Sequence, residues 1–129
     1  MKKTLLVSKL HRINVTQVEL DYEGSCAVDQ CFLEAAGMQE YQQVEVYNVT
    51  NGERFSTYLI LAETGSKTLS VNGAAAHKVS LGDVLIICTY GHFDEVESNS
   101  HKPTLVYFDK DNNVTGIKNS IPQQKLKSV

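Results

Sequence analysis

Apolar and polar residues alternate over many short stretches of the chain, which is the pattern of strands with one buried face. In residues 11–16, for example, His11, Ile13 and Val15 fall on one face. The pattern predicts strands at residues 4–7, 11–16, 44–49, 54–62, 68–71, 84–89 and 104–108. Because strands dominate and follow one another at short intervals, we expect a mainly β fold, a compact β-barrel.

Turn and cap signals separate these strands and add two short helices. The pair Asn51-Gly52 is typical of a tight hairpin turn between the predicted strands at residues 44–49 and 54–62. Asp29 is suited to begin a short helix and Gly37 to end it. A second short helix is predicted to start near Ala74. The strands therefore remain the main elements, with short helices between them.

Size and charge narrow the class of protein. A chain of 129 residues with 42% hydrophobic residues fits one domain, residues 1–129, with a real core. The net charge of -3 argues against a nucleic-acid partner, which selects basic surfaces. No apolar stretch approaches the roughly 20 residues that cross a bilayer, and the start lacks the long apolar core of a secretion signal. We expect a cytoplasmic protein without a membrane partner.

The cysteines and histidines do not form a recognisable metal site. Cys26, Cys31 and Cys88 are odd in number and lack CxxC spacing, so we expect reduced, mostly buried thiols. No metal-ligand spacing links the residues His77, His92 and His101. The sequence therefore predicts no metal.

The candidate chemistry lies in the run from Tyr22 to Cys26, which contains the bond between Gly24 and Ser25. A serine hydroxyl can attack the preceding carbonyl through a five-membered ring and convert the amide into an ester. Gly24 has no side chain to obstruct that ring, and glycine tolerates unusual backbone angles. Gly-Ser pairs also occur in ordinary loops, so the pair gains meaning only from its companions.

The run at residues 22–26 and its companions match one family in both residue identity and spacing. The companions are residues 9–12, 51–58, 71–77 and 82–87. Together they resemble the pyruvoyl-dependent aspartate 1-decarboxylases, in continuous register over about residues 3–90. The resemblance implies a double-psi β-barrel and a homotetramer with sites between subunits. It also implies self-cleavage into residues 1–24 and residues 25–129, in some members with help from a maturation factor.

The resemblance further implies the cofactor and the reaction. Elimination across the Ser25 ester leaves dehydroalanine, and hydrolysis of that group releases ammonia and leaves a pyruvoyl ketone. The ketone forms a Schiff base with L-aspartate and accepts the electrons freed when carbon dioxide leaves, so no external cofactor is required. The product is β-alanine, a precursor in pantothenate biosynthesis.

Two residues of the strand at 54–62 are assigned to catalysis by the resemblance. Tyr58 is the expected proton donor to the carbon that loses carbon dioxide, because a phenol keeps its proton at neutral pH. Thr57 is the expected hydroxyl that polarises the Gly24 carbonyl during cleavage, and it also borders the substrate. Without the family motif, a tyrosine packed in a strand with its hydroxyl outward is the simpler interpretation of Tyr58.

The expected substrate-binding residues are basic or small. Arg54 offers a planar fork of donors for a carboxylate, and Lys9 a compact positive charge. His11 lies on the same strand as Lys9 and is a weaker candidate. The small segment that allows backbone N–H groups to approach a ligand comprises Asn72, Gly73, Ala74 and Ala75. Solvated charges and a tight turn before a helix are the alternatives for these residues.

Strand alternation conflicts with a single site for all these side chains. It places Arg54 and Tyr58 on one face and Thr57 on the other, which requires a bulge, a strand end or a site shared between subunits. We expect the shared site. The competing hypothesis is a non-catalytic β-barrel interaction module, or an unprocessed relative with the same fold.

Overall fold

Strands form most of the structure, a computed structural model that describes residues 1–127. The last two residues of the predicted single domain lie outside the described residues. The strands are β1 Lys3–Asn14, β2 Gln17–Glu19, β3 Ser25–Asp29, β4 Gln43–Asn48, β5 Arg54–Ala62, β6 Leu69–Asn72, β7 Val84–Phe93, β8 Thr104–Phe108 and β9 Val114–Lys118. The helices are α1 Gln30–Ala36, a 3-10 helix Gly73–Lys78 and α2 Glu95–Ser100. The predicted mainly β class with short helices is confirmed.

The nine strands within residues 1–127 belong to one sheet in the order β2-β6-β3-β5-β4-β7-β1-β8-β9. β1 lies between antiparallel β7 and parallel β8. β3 lies between parallel β5 and antiparallel β6. Two central strands are therefore hydrogen-bonded on both sides, and the chain must cross over to reach their parallel partners.

One face of the sheet forms the hydrophobic core together with α1. Its fully buried side chains include Leu10, Val46, Leu59, Leu85 and Ile87. Burying a side chain of this kind stabilises the fold by about 1.5–3 kcal/mol relative to leaving it exposed. The opposite face of the strands carries the polar residues that matter for the site below.

The predicted hairpin and the first helix are confirmed. β4 and β5 pair in antiparallel register around Gly52, which has a φ of 80°. Asp29 accepts a hydrogen bond from the Cys31 amide at 2.8 Å, and Gly37 ends α1 in the left-handed conformation. The Asp29 carboxylate also accepts bonds from the backbone amides of Gly65 and Lys67. This carboxylate therefore ties the end of β3 to the loop between β5 and β6.

Several element predictions were wrong in detail. The separate strands at residues 4–7 and 11–16 are one strand, β1, whose register against β7 shifts at two places. Those irregularities, with Arg12 at a φ of 65°, interrupt the alternation that sequence patterns detect. The short helix predicted to start near Ala74 is confirmed, as a 3-10 helix that begins at Gly73. The elements β2, β3, α2 and β9 were not predicted.

Within residues 1–127, none of the helices is long and apolar enough to cross a membrane.

Candidate active site

Ser25 is the first residue of β3 and is almost fully buried, with 1% of its surface exposed. Its hydroxyl donates a hydrogen bond to the Glu23 carbonyl at 2.9 Å. The same oxygen accepts a bond from Nδ2 of Asn72 at 3.1 Å. Ser25 and Asn72 are opposite each other on the antiparallel strands β3 and β6, which fixes this contact. The structure thus brings together two of the predicted site residues.

A third side chain, Ser70, extends this network, and sequence analysis did not identify it. The Ser70 hydroxyl donates to Oδ1 of Asn72 at 2.7 Å. Ser70 and Asn72 are two residues apart on β6, so both side chains point to the same face. That spacing is the signal in the sequence that could have identified Ser70 once Asn72 had been chosen.

Gly73 presses directly against the Gly24 backbone. A Cβ on Gly73 would stand 2.6 Å from Cα of Gly24 and 3.3 Å from the Tyr22 carbonyl oxygen. Gly73 also has a φ of 71°, whereas Gly24 does not have a positive φ. The left-handed backbone conformation at this contact therefore belongs to Gly73 and not to Gly24. A side chain at residue 73 would displace the bond between residues 24 and 25.

The second Gly-Ser pair of the chain, Gly65-Ser66, offers a useful contrast. Ser66 is exposed in the turn between β5 and β6, and its hydroxyl donates to the Glu63 carbonyl. Ser25, in contrast, is buried and held by a side-chain amide. Both hydroxyls donate to a nearby backbone carbonyl, but only that of Ser25 is buried and also bonded to a side-chain amide.

The strand β5 places Tyr58 next to Ser25. Cys26 pairs with Leu59 on parallel strands, so the residues before them, Ser25 and Tyr58, are neighbours across β3 and β5. Tyr58 is 37% exposed, and Thr57 is half-buried. β4 and β5 pair without a register shift from residue 54 to residue 58, so the alternation of faces holds there. No bulge in this part of β5 therefore turns the Thr57 side chain to the face that carries Tyr58.

Arg54 and Lys9 lie on the same face as Tyr58 but farther from Ser25. Cross-strand pairs connect Lys9 to Ser56 through Cys88 and Glu45, and Arg54 is two residues from Ser56. Lys9 is therefore three strand spacings, roughly 14 Å, from β5, and Arg54 is roughly 13 Å along β5 from Tyr58. Within one chain, the backbone positions of both basic residues are therefore well separated from that of Ser25.

Aromatic side chains hold Arg54 on this face. The Arg54 guanidinium carbon lies 4.7 Å from the centre of the Tyr47 ring. The Tyr47 and Tyr90 hydroxyls are 2.8 Å apart. Burial and then the bond to Tyr47 raise the pKa of the Tyr90 phenol, so it stays protonated. Sequence analysis did not identify this pair.

His11 packs edge-on against Tyr107 at 5.2 Å between ring centres. Its Nδ1 is buried and has no hydrogen-bond partner among residues 1–127. Burial lowers the pKa of His11, and the positive charges of Lys9 and Arg12 lower it further. His11 is therefore a neutral imidazole at neutral pH.

The thiol beside the candidate bond is inert. Complete burial raises the pKa of Cys26 to about 12, so the thiolate that nucleophilic attack requires does not form near neutral pH. Among the described residues, no three His, Cys, Asp or Glu side chains lie close enough together to hold a metal ion.

A cavity of about 360 Å³ adjoins Asn72, near the end of β5 that is opposite Arg54. It is lined by Gln17, Glu19, Tyr22, Ala27, Ile60, Leu61, Ala62, Thr68, Ser70 and Asn72, with no Lys or Arg in this set. Tyr22 is exposed at its edge, while Glu23 contributes its carbonyl to Ser25. Ala74 and Ala75 follow Gly73 in the 3-10 helix, Ala74 exposed and Ala75 half-buried.

Comparison with known proteins places this arrangement in a family. The family model for aspartate decarboxylase matches residues 1–115. The aspartate 1-decarboxylase of Hydrogenovibrio crunogenus is 57% identical over 124 residues, which cover 96% of each chain. That of Saccharophagus degradans is 58% identical, with 96% of this chain and 98% of the relative covered. Among solved structures, the computationally designed msDPBB_sym2 protein has a TM-score of 0.44 and 15% identity, and covers 66% of this chain and 96% of its own. On the match to its family model and relatives, the chain belongs to the aspartate decarboxylase family.

Proposed function

We propose that this protein converts L-aspartate to β-alanine and carbon dioxide, using a pyruvoyl group that it makes from its own Ser25. Membership of the aspartate decarboxylase family supports the reaction. One observation carries the site assignment. The buried Ser25 hydroxyl is held between the Glu23 carbonyl and the Asn72 amide, beside a Gly24 backbone fixed by Gly73. The pathway that such a product serves is pantothenate biosynthesis, in the cytoplasm.

Self-cleavage begins when Oγ of Ser25 bonds to the carbonyl carbon of Gly24. The bond from that carbon to the Ser25 nitrogen breaks, the nitrogen takes up a proton, and an ester results. Removal of the Ser25 Cα proton then expels Gly24 as a carboxylate and leaves a carbon–carbon double bond at residue 25. One water molecule replaces the nitrogen, which leaves as ammonia, and a ketone remains. The pieces are residues 1–24 and residues 25–129.

The surroundings of Ser25 fit such a group. Nδ2 of Asn72 already donates to an oxygen of residue 25, and this donor is free for a new oxygen once Oγ has left with Gly24. A ketone at residue 25 would accept the electrons released as carbon dioxide leaves. Tyr58, the neighbour across β5, would supply the proton that the product carbon needs.

Substrate binding requires basic groups that one chain does not place beside Ser25. The net charge is -3, so a dianionic amino acid needs a local basic pocket. The Arg54 backbone is roughly 13 Å along β5 from that of Tyr58, and the Lys9 backbone is roughly 14 Å across the sheet from that of Ser56, longer distances than a substrate as small as aspartate spans. We therefore propose a homotetramer in which a second copy brings its Arg54 and Lys9 to Ser25.

The same argument applies to Thr57. Its side chain faces away from Tyr58, so its proposed role in polarising the Gly24 carbonyl also requires the subunit interface or movement during cleavage. The small residues Asn72, Gly73, Ala74 and Ala75 would border the substrate next to the ketone. No metal takes part in this scheme.

Intact mass under denaturing conditions tests the proposal. The purified protein should give two fragments, with the larger one lighter by one ammonia than a chain that begins with serine, and a carbonyl reagent should label it. Ser25→Ala should stay full length and make no β-alanine. Ser66→Ala, in the other Gly-Ser pair, should cleave as the unchanged protein does.

A second variant addresses the first chemical step. Thr57→Val removes the hydroxyl and nearly keeps the shape, so cleavage should slow or stop.

A single full-length species in the unchanged protein would instead support the interaction module. Cleavage that appears only when cell extract is added would indicate a maturation factor.

A further inference from the structure

Ser70 is buried and has one clear hydrogen-bond partner. It is 4% exposed, and its hydroxyl donates to Oδ1 of Asn72 at 2.7 Å. Asn72 in turn donates from Nδ2 to Oγ of Ser25 at 3.1 Å. The three side chains form one directed chain of hydrogen bonds that ends on the nucleophilic oxygen.

The direction of this chain depends on Ser70. An asparagine amide carries an acceptor on one side and donors on the other, and a half-turn exchanges them. A hydroxyl that donates to Oδ1 favours the orientation in which Nδ2 faces Ser25. Without that hydroxyl, Oδ1 can turn toward Ser25 and compete with the Glu23 carbonyl for its proton.

The orientation matters because of how a serine hydroxyl shares its bonds. The oxygen has one proton and two lone pairs. Here the proton goes to the Glu23 carbonyl and one lone pair accepts from Asn72. The second lone pair is left for the carbonyl carbon of Gly24. A reversed Asn72 amide would free one lone pair but draw the proton away from Glu23 and rotate the hydroxyl.

We propose that Ser70 is a positioning residue for self-cleavage, and that it acts by holding the Asn72 amide with Nδ2 toward Ser25. The inference rests on the proposed cleavage between Gly24 and Ser25. Ser70 does not contact the reacting bond, and its whole effect passes through Asn72. Because Ser70 also lines the cavity of about 360 Å³, a slightly larger side chain has room there.

The test measures the rate of cleavage of freshly purified full-length chains by intact mass. Ser70→Ala should slow cleavage about tenfold, the size expected from losing one buried hydrogen bond that fixes geometry. Ser70→Thr keeps a hydroxyl and should restore most of the rate. Ser8→Ala is the matched control. Like Ser70, Ser8 is a buried serine with a side-chain hydrogen bond, in this case to the Thr89 hydroxyl, but it lies on β1 away from the site.

A double-mutant cycle separates positioning from a general loss of structure. In an Asn72→Ala background, the further change Ser70→Ala should alter the rate by less than about twofold, because its effect needs the amide. Equal slowing by Ser70→Ala in both backgrounds would overturn the proposal, as would a Ser70→Ala protein that cleaves at the unchanged rate or a Ser70→Thr protein that is not rescued. If the unchanged protein itself never cleaves, the proposed function fails instead.

Discussion

Gly73 and Gly24 are packed backbone to backbone, so closely that a Cβ on Gly73 would stand 2.6 Å from Cα of Gly24. Real side chains do not approach so near without a shift of one partner. The bond between residues 24 and 25 is therefore held in place from the start of the 3-10 helix. This contact links the small-residue segment to the proposed cleavage site, in addition to its proposed place beside the substrate.

Gly73→Ala should impair cleavage by displacing the Gly24 backbone. Alanine at a φ of 71° also costs stability of about 1 kcal/mol by itself. Gly37→Ala is the control, since Gly37 has the same φ of 71° and an added Cβ meets nothing within 4 Å among the described residues. Denaturant unfolding and intact mass should show Gly37→Ala destabilised but normally cleaved. Equal cleavage in both variants would contradict the interpretation.

Tyr58→Phe should separate the making of the ketone from its use. The phenyl ring keeps the packing, so cleavage should be normal. A positioned acid contributes about 10² to 10⁴-fold in rate, and β-alanine production should fall in that range with a smaller change in KM. Tyr41→Phe removes an exposed phenol elsewhere and should have normal activity. Near-normal turnover in cleaved Tyr58→Phe would show that another group delivers the proton.

Tyr47 should affect substrate affinity through Arg54. A cation held over an exposed ring is worth about 0.5–1 kcal/mol, so Tyr47→Leu should raise KM about two- to fivefold and change kcat less. Tyr47→Phe keeps the ring and loses only the bond to Tyr90, so its KM should stay near that of the unchanged enzyme. A raised KM in Tyr47→Phe alone would assign the effect to the hydroxyl pair.

His11 should make stability fall in mild acid. Its pKa is lowered in the folded protein, chiefly by burial and then by Lys9 and Arg12, so the unfolded chain binds a proton near the usual pKa while the folded one does not. The free energy of unfolding should therefore decrease as pH falls from 8 to 5, relative to His11→Gln. Denaturant titrations at several pH values measure the difference, and parallel curves would contradict it.

Local signals predicted the elements that depend on local chemistry. Asp29 and Gly37 bound a helix by capping, and Gly52 closes a hairpin by its positive φ. β3 is a strand because β5 and β6 bond it on both sides, and its own residues carry little strand preference. α2 was missed although Asp94 and Glu97 form a capping box, a signal that the sequence does contain.

The candidate site was likewise predicted from the sequence only in part. Ser25, Gly24 and Asn72 were identified from motif wording, and the structure brings them together. Ser70 was missed because its two-residue spacing from Asn72 becomes a signal only when the segment is known to be a strand that places both side chains on one face. The separation of Arg54 from Ser25 depends on strand order, which periodicity does not encode.

The place of β1 has a consequence for the processed molecule. β1 is bonded to β7 on one side and β8 on the other, yet it belongs to the 24-residue piece that the proposed cleavage releases. The mature protein would then be an assembly of two polypeptides, and cleavage would have to follow folding, since Asn72 and Gly73 reach Ser25 only in the finished sheet. Its refolding from denaturant would then be a bimolecular reaction, faster at higher protein concentration. The Ser25→Ala protein, which stays one chain, would refold at a rate independent of concentration if its subunits fold before they assemble.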